Sequence, residues 1–201
     1  MNREDQLALL HPLRDAGFFK EYRHLSDGTL LEHIHTERKN QLGRVANYDY
    51  VIRDRDLVLA DTAKMFWVDP ESDPLETDQF FVYLVSRIDK IRGRNPIFSK
   101  VRETWNEAGD KVKVTCNAYG ENLSFSTWVG GSWFGTRIID NIQRLIRERE
   151  GIIFCKCYGP DKEWMGQYHY YIRLTPAEKQ LLQQQLNWTF GDWDPQIPTL
   201  F

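Results

Sequence analysis

Apolar positions along the chain alternate between helical and strand rhythms. Leu7, Leu10 and Leu13 recur three apart between residues 4 and 16, and Gly17 follows them. That is an amphipathic stripe with a glycine stop. Pro12 lies inside the run, where a missing N–H favours two short turns over one helix. A second helix is predicted from Ser26 or Asp27, both N-cap types, to about Gln41, with Leu30, Leu31, Ile34 and His35 on one face and Gly43 beyond. Residues 48–68 hold three groups of β-formers, Tyr48–Ile52, Leu57–Leu59 and Phe66–Val68, read as short strands. An acidic loop with Pro70 and Pro74 follows.

From Thr77 to Ile91, Phe81, Leu84, Val85, Ile88 and Ile91 keep the 3.6-residue period of a buried helix, ended by Gly93 and Pro96. Residues 98–106 read as a short helix or turn around Val101 and Trp105. Val112, Val114, Cys116 and Ala118 alternate with polar residues, as do Leu123, Phe125 and Thr127 after a turn at Tyr119–Asn122. Together they predict a β-hairpin with one wet face. Phe134 to Glu150 carries the strongest helical stripe. Ile152–Tyr158 and Gln167–Leu174 read as two strands. Thr175, Pro176 and Glu178 then form a capping box with proline in the first helical position, opening a helix to about Asn187.

Hairpins separated by helices predict the α+β class: an antiparallel sheet with helices packed on one face and a helical N-terminal segment. No linker or repeat divides the chain, so it reads as one domain. Residues 1–45 form a helical extension, 46–190 the core and 191–201 an irregular tail.

The chain has 201 residues, 41% hydrophobic and 13% aromatic, enough to build a sizeable core. Its net charge is −3. A non-specific nucleic-acid binder carries a basic excess, which this composition lacks. The first residues mix acids with an apolar run broken by His11 and Pro12, and the longest apolar runs are far too short to span a bilayer. With three cysteines and no export signal, the expectation is a cytoplasmic protein without disulfides or membrane.

Common catalytic signatures do not occur. Gly130-Gly131 lacks the Lys-Ser/Thr of a phosphate loop, and there is no G-x-G-x-x-G, G-x-S-x-G or H-E-x-x-H. Cys155 and Cys157 share a strand face but lack an adjacent second ligand pair, so they read as packed thiols and not as a metal or redox site. His33 and His35 diverge on a helix and share no metal. Asp69, Glu71 and Asp73 begin like a calcium loop, but Pro74 stands where glycine is needed and Phe80 where a bidentate glutamate belongs. The expectation is no cofactor, no metal and no catalytic residue, with histidine, thiol and carboxylate groups spread over separate surfaces.

What remains is charge and aromatic surface. Asp69, Glu71, Asp73, Glu76 and Asp78 concentrate five carboxylates without a base, a patch suited to a basic partner. Trp128 and Trp133 flank a glycine-containing loop and are candidate anchors. Arg87, Lys90, Arg92, Arg94, Lys100 and Arg102 form a basic stretch, which leaves open a nucleic-acid-associated module over 87–102. An enzyme of unrecognised type using Asp/Glu with His169 or the cysteine pair is the other alternative.

The run Phe66-Trp67-Val68-Asp69-x-Glu71-x-Asp73, then Arg102-Glu103-x-Trp105, a Val-x-Val strand and Leu174-Thr175-x-x-Glu178, resembles in layout small bacterial immunity proteins encoded beside polymorphic or contact-delivered toxins. The resemblance covers roughly residues 55 to 190. It implies a non-enzymatic cytosolic binder that neutralises a basic toxin domain by occlusion.

Overall fold

The computed structural model describes residues 2–42, 54–72, 74–130, 133–160 and 162–191. Chain order gives α1 (Arg3–Asp15), α2 (Asp27–Leu42), α3 (Asp54–Leu59), β1 (Met65–Val68), α4 (Phe80–Arg92), β2 (Ser99–Trp105), β3 (Lys111–Ala118), β4 (Glu121–Gly130) and β5 (Trp133–Phe134). There follow α5 (Arg137–Glu150), β6 (Phe154–Pro160), β7 (His169–Arg173), α6 (Pro176–Leu186) and β8 (Trp188–Phe190). The class is α+β, with the strands in two antiparallel sheets ordered β1-β7-β6-β8 and β2-β3-β4-β5. Among the described residues, no helix is long and apolar enough to cross a membrane.

The first sheet separates two cores, and period-2 alternation decides which residue enters which. Met65, Cys155, Cys157, Tyr170 and Ile172 face the core built by α1, α2, α3 and α6. Phe66, Val68, Phe154 and Tyr171 face the core of α4, α5 and the second sheet. Helices therefore lie on both faces of this sheet.

Local chemistry explains most boundaries. Asn2 and Asp5 form a capping box at α1, and the helix runs unbroken through Pro12, which sits in its last turn and is buried. Thr175 and Glu178 cap α6 as expected. Tyr119 and Gly120, both with positive φ, make the two-residue turn of the β3–β4 hairpin. Gly93 ends α4 at φ 74°. A side chain there would overlap the Arg173 guanidinium, which donates to the Arg92 carbonyl at 2.9 Å.

Four expectations change. Leu57–Leu59 lie in α3, with Leu57 and Val58 sealed against α1 and β1. The rest of that predicted strand region, through residue 53, lies outside the described residues. Residues 99–105 are a strand, because Val101, Glu103 and Trp105 turn inward while Lys100, Arg102 and Thr104 stay wet. Phe134 belongs to β5, paired with Val129, so the following helix opens only at Arg137. Trp188–Phe190, for which no element is predicted, form β8 on the edge of the first sheet.

One ion network ties these layers together. Arg92, with a side chain 2% exposed, donates Nε to Asp89 Oδ1 at 3.1 Å and Nη1 to both Glu150 oxygens at 2.8 and 2.9 Å. Its Nη2 donates to the Asn95 carbonyl. Asp89 also accepts from the Ile97 and Phe98 amides, and Tyr119 donates to Glu150 at 2.7 Å. Burial alone would raise the Glu150 carboxyl, but Tyr119 and Arg92 outweigh it and hold the group below the ordinary glutamate range.

Replacing Arg92 with Met strands two nearly buried carboxylates. We expect a loss of about 3–5 kcal/mol in urea unfolding. The lowered Glu150 value contributes stability above the ordinary glutamate range that disappears as pH falls through the folded value, so Glu150→Gln flattens the acid limb of stability against pH.

Candidate functional site

A groove of about 760 Å³ has β1 at its floor. Residues of both β1 faces line it, from Met65 to Val68, because the groove runs along the outer edge of the strand. β1 is an edge strand of its sheet, and among the described residues no strand pairs with that edge. Arg87 Nη2 reaches the Met65 carbonyl at 3.4 Å. Tyr22, Glu37, Leu59 and Ala60 of the N-terminal layer form one wall, and Phe80, Tyr83, Leu84 and Arg87 of α4 the other.

The groove is aromatic and bordered by carboxylates. Trp67 is 50% exposed, Tyr83 61% and Tyr168 39%. Trp67 meets Tyr168 edge-on at 5.2 Å. Exposed aromatics that hold each other lose little freedom on binding, which suits them as anchors. Glu37 and Asp69 line the groove. At its Tyr22 end the phenol is raised by burial first and then by the charges of Glu37, Glu21 and Asp61.

The expected acidic residues divide. Asp69 lines the groove, but its carboxylate also accepts from the Glu71 amide at 3.0 Å and Gln167 Nε2 at 2.8 Å. Asp78 accepts from the Leu75 amide at 2.9 Å, and Glu76 and Asp78 stay exposed in a 3-10 turn leading to the α4 wall. Glu71 is half-buried beside Asp69. Asp73 lies outside the described residues, as does the side chain of Trp133. Trp128 is 53% exposed on β4 and is not among the groove residues.

The basic stretch does not make one surface. Arg92 is buried in its ion network and Arg87 sits in the groove wall, while Lys100 and Arg102 stand on β2. Glu103, its acidic neighbour, accepts from the Phe81 and Val82 amides at 2.9 and 3.2 Å and so caps α4 from another strand.

All three thiols are buried. Burial raises them, Cys157 up to about 12, which makes them poor nucleophiles. Cys155 and Cys157 face the α1 side of the sheet, opposite His169.

Other polar groups do converge, contrary to the expectation of separate surfaces. Asp140 and Gln143 of α5, Lys156 of β6 and His169 of β7 line a second hollow of about 130 Å³ between α5 and the first sheet. Burial, then the Lys156 charge, pushes His169 down to about 4, against a small opposing pull from Asp69. Positions 156 and 169 fall on the same strand faces as Phe154 and Tyr171, and 140 and 143 are one helical turn apart. Those spacings were the available signal, but only the cross-strand pairing joins them. The aromatic groove had a weaker sequence signal, since Trp67, Tyr83 and Tyr168 are far apart in the chain.

Comparison with protein-family models, with curated proteins and with solved structures found no match for this chain.

His169 should remain neutral at pH 6 and titrate near its folded value in an imidazole NMR titration. The unfolded state binds its proton first, so stability falls as pH drops from about 6.5 toward the folded value. His169→Gln should remove that part of the slope.

Proposed function

We propose that the chain is a non-enzymatic protein-binding protein that captures an extended, basic segment of a partner along the open edge of β1. The observation that carries this reading is a sheet edge that no strand among the described residues pairs with, on the floor of an aromatic groove bordered by Glu37 and Asp69. An extended segment adds main-chain hydrogen bonds to such an edge, and its alternate side chains enter the flanking walls. Trp67, Tyr83 and Tyr168 supply apolar contact, and the carboxylates favour Lys and Arg on the incoming strand. The layout shared with immunity proteins makes a basic toxin domain the candidate partner, neutralised by occlusion.

Fluorescence anisotropy with Lys/Arg-rich peptides of alternating apolar pattern tests the groove, using acidic peptides of the same pattern as controls. Basic peptides should bind at about 1 μM or tighter, and more weakly as salt rises. Trp67→Ala should cost about 2 kcal/mol, or roughly thirtyfold. Equal binding of basic and acidic peptides, or affinity untouched by both Trp67→Ala and Tyr83→Ala, would remove the proposal. For the toxin partner, co-production of the chain should restore growth to cells making the toxin domain encoded beside it, with rescue lost in Trp67→Ala. Growth arrest unrelieved by the wild-type chain counts against that partner alone.

A further inference from the structure

The hollow between α5 and the first sheet shares no lining residue with the β1 groove. Its walls leave polar groups unmet. Gln143 is 5% exposed, and its Nε2 is buried with no hydrogen-bond partner. His169 Nδ1 is buried and equally unpartnered. Each such group has lost its water on burial and destabilises the fold unless something in the hollow answers it. Among the described residues the Asp140 carboxylate receives a single 3.3 Å hydrogen bond, from Thr136 Oγ1, and the Lys156 ammonium lies 5.6 Å from the Tyr158 ring.

Asp140 and Lys156 sense each other's charge, yet among the described residues no direct ion pair joins them. A structural pair of this kind would close to recover what burial costs it. Here the two opposite charges line one hollow with room for about four waters. A simple anion would answer Lys156 and oppose Asp140; a simple cation would do the reverse. A molecule carrying both signs answers both and leaves no net charge behind.

We propose that this hollow binds a small α-amino acid as its zwitterion, the carboxylate on Lys156 and Gln143 and the ammonium on Asp140. His169, neutral at physiological pH, offers Nδ1 as a further acceptor for the ammonium. The rings of Tyr158 and Tyr171 close the sides. Burial pushes the Asp140 carboxyl up and the Lys156 amine down, and a bound zwitterion opposes both shifts. The volume limits the side chain to the size of glycine, alanine or serine.

The test is an NMR titration of the full chain with glycine, L-alanine and L-serine, using acetate and methylammonium as single-charge controls. The His169 imidazole and Gln143 amide signals should shift saturably with at least one amino acid, at about 1 mM or tighter. Both controls should bind at least tenfold more weakly, and Asp140→Asn and Lys156→Met should each weaken the amino acid by about tenfold or more. No shift with any of the three amino acids means the hollow holds only water and overturns the proposal. Acetate or methylammonium binding as well as glycine overturns it too, as does binding indifferent to both substitutions. If a variant fails to fold, the wild-type comparison with the two controls decides alone.

Discussion

Arg92 is the group on which the arrangement of α4, α5 and the second sheet depends. Its guanidinium sits where the end of α4, the end of α5, the approach to β2 and the β3–β4 turn meet, and each contributes an acceptor or a supporting donor. Its own carbonyl receives Arg173, which brings β7 into the same knot. Three of these stretches accept directly from the guanidinium, and the other two join through Glu150 and through the Arg92 carbonyl. Because the fork is planar and its donors are fixed in direction, the partners must arrive in a set geometry. That geometry determines how α4 and α5 lie across the first sheet, and so the shape of both hollows.

The first sheet imposes a second constraint. Its central strands β6 and β7 send alternate residues into cores on opposite faces. Cysteines, Ile172 and Tyr170 suit the apolar N-terminal side. The opposite register delivers Lys156 and His169 beside Phe154 and Tyr171, under a helix whose facing turn supplies Asp140 and Gln143. Polar residues at such positions lower stability unless they are answered, so their presence there is informative in a way that exposed charges are not. The acidic loop illustrates the contrast. Much of its charge is spent locally, on the Glu71 and Leu75 amides and on Gln167.

The sequence made the periodic elements legible. α2, the body of α4, the β3–β4 hairpin and α6 follow from apolar spacing and caps alone. Residues 99–105 were not legible as a strand, because Glu103 looks like a solvated acid until Phe81 and Val82 are seen donating to it. Leu57–Leu59 mislead because three apolar residues in a row fit a strand or a buried helical turn equally well. Of the groove's two acids, Asp69 belonged to the visible charge run, but Glu37 and the aromatic residues were not legible. Trp67, Tyr83 and Tyr168 come from three different elements, and no spacing rule links them. The second hollow was hidden for the same reason, since β6 and β7 meet only through pairing.

The sealing of Cys116, Cys155 and Cys157 has a practical corollary. A maleimide dye or spin label added to the native protein finds no accessible thiol. A single cysteine engineered at an exposed position would therefore accept one probe at a known place, with no need to strip the natural thiols first. Distances across the molecule thus become measurable in the otherwise unaltered chain.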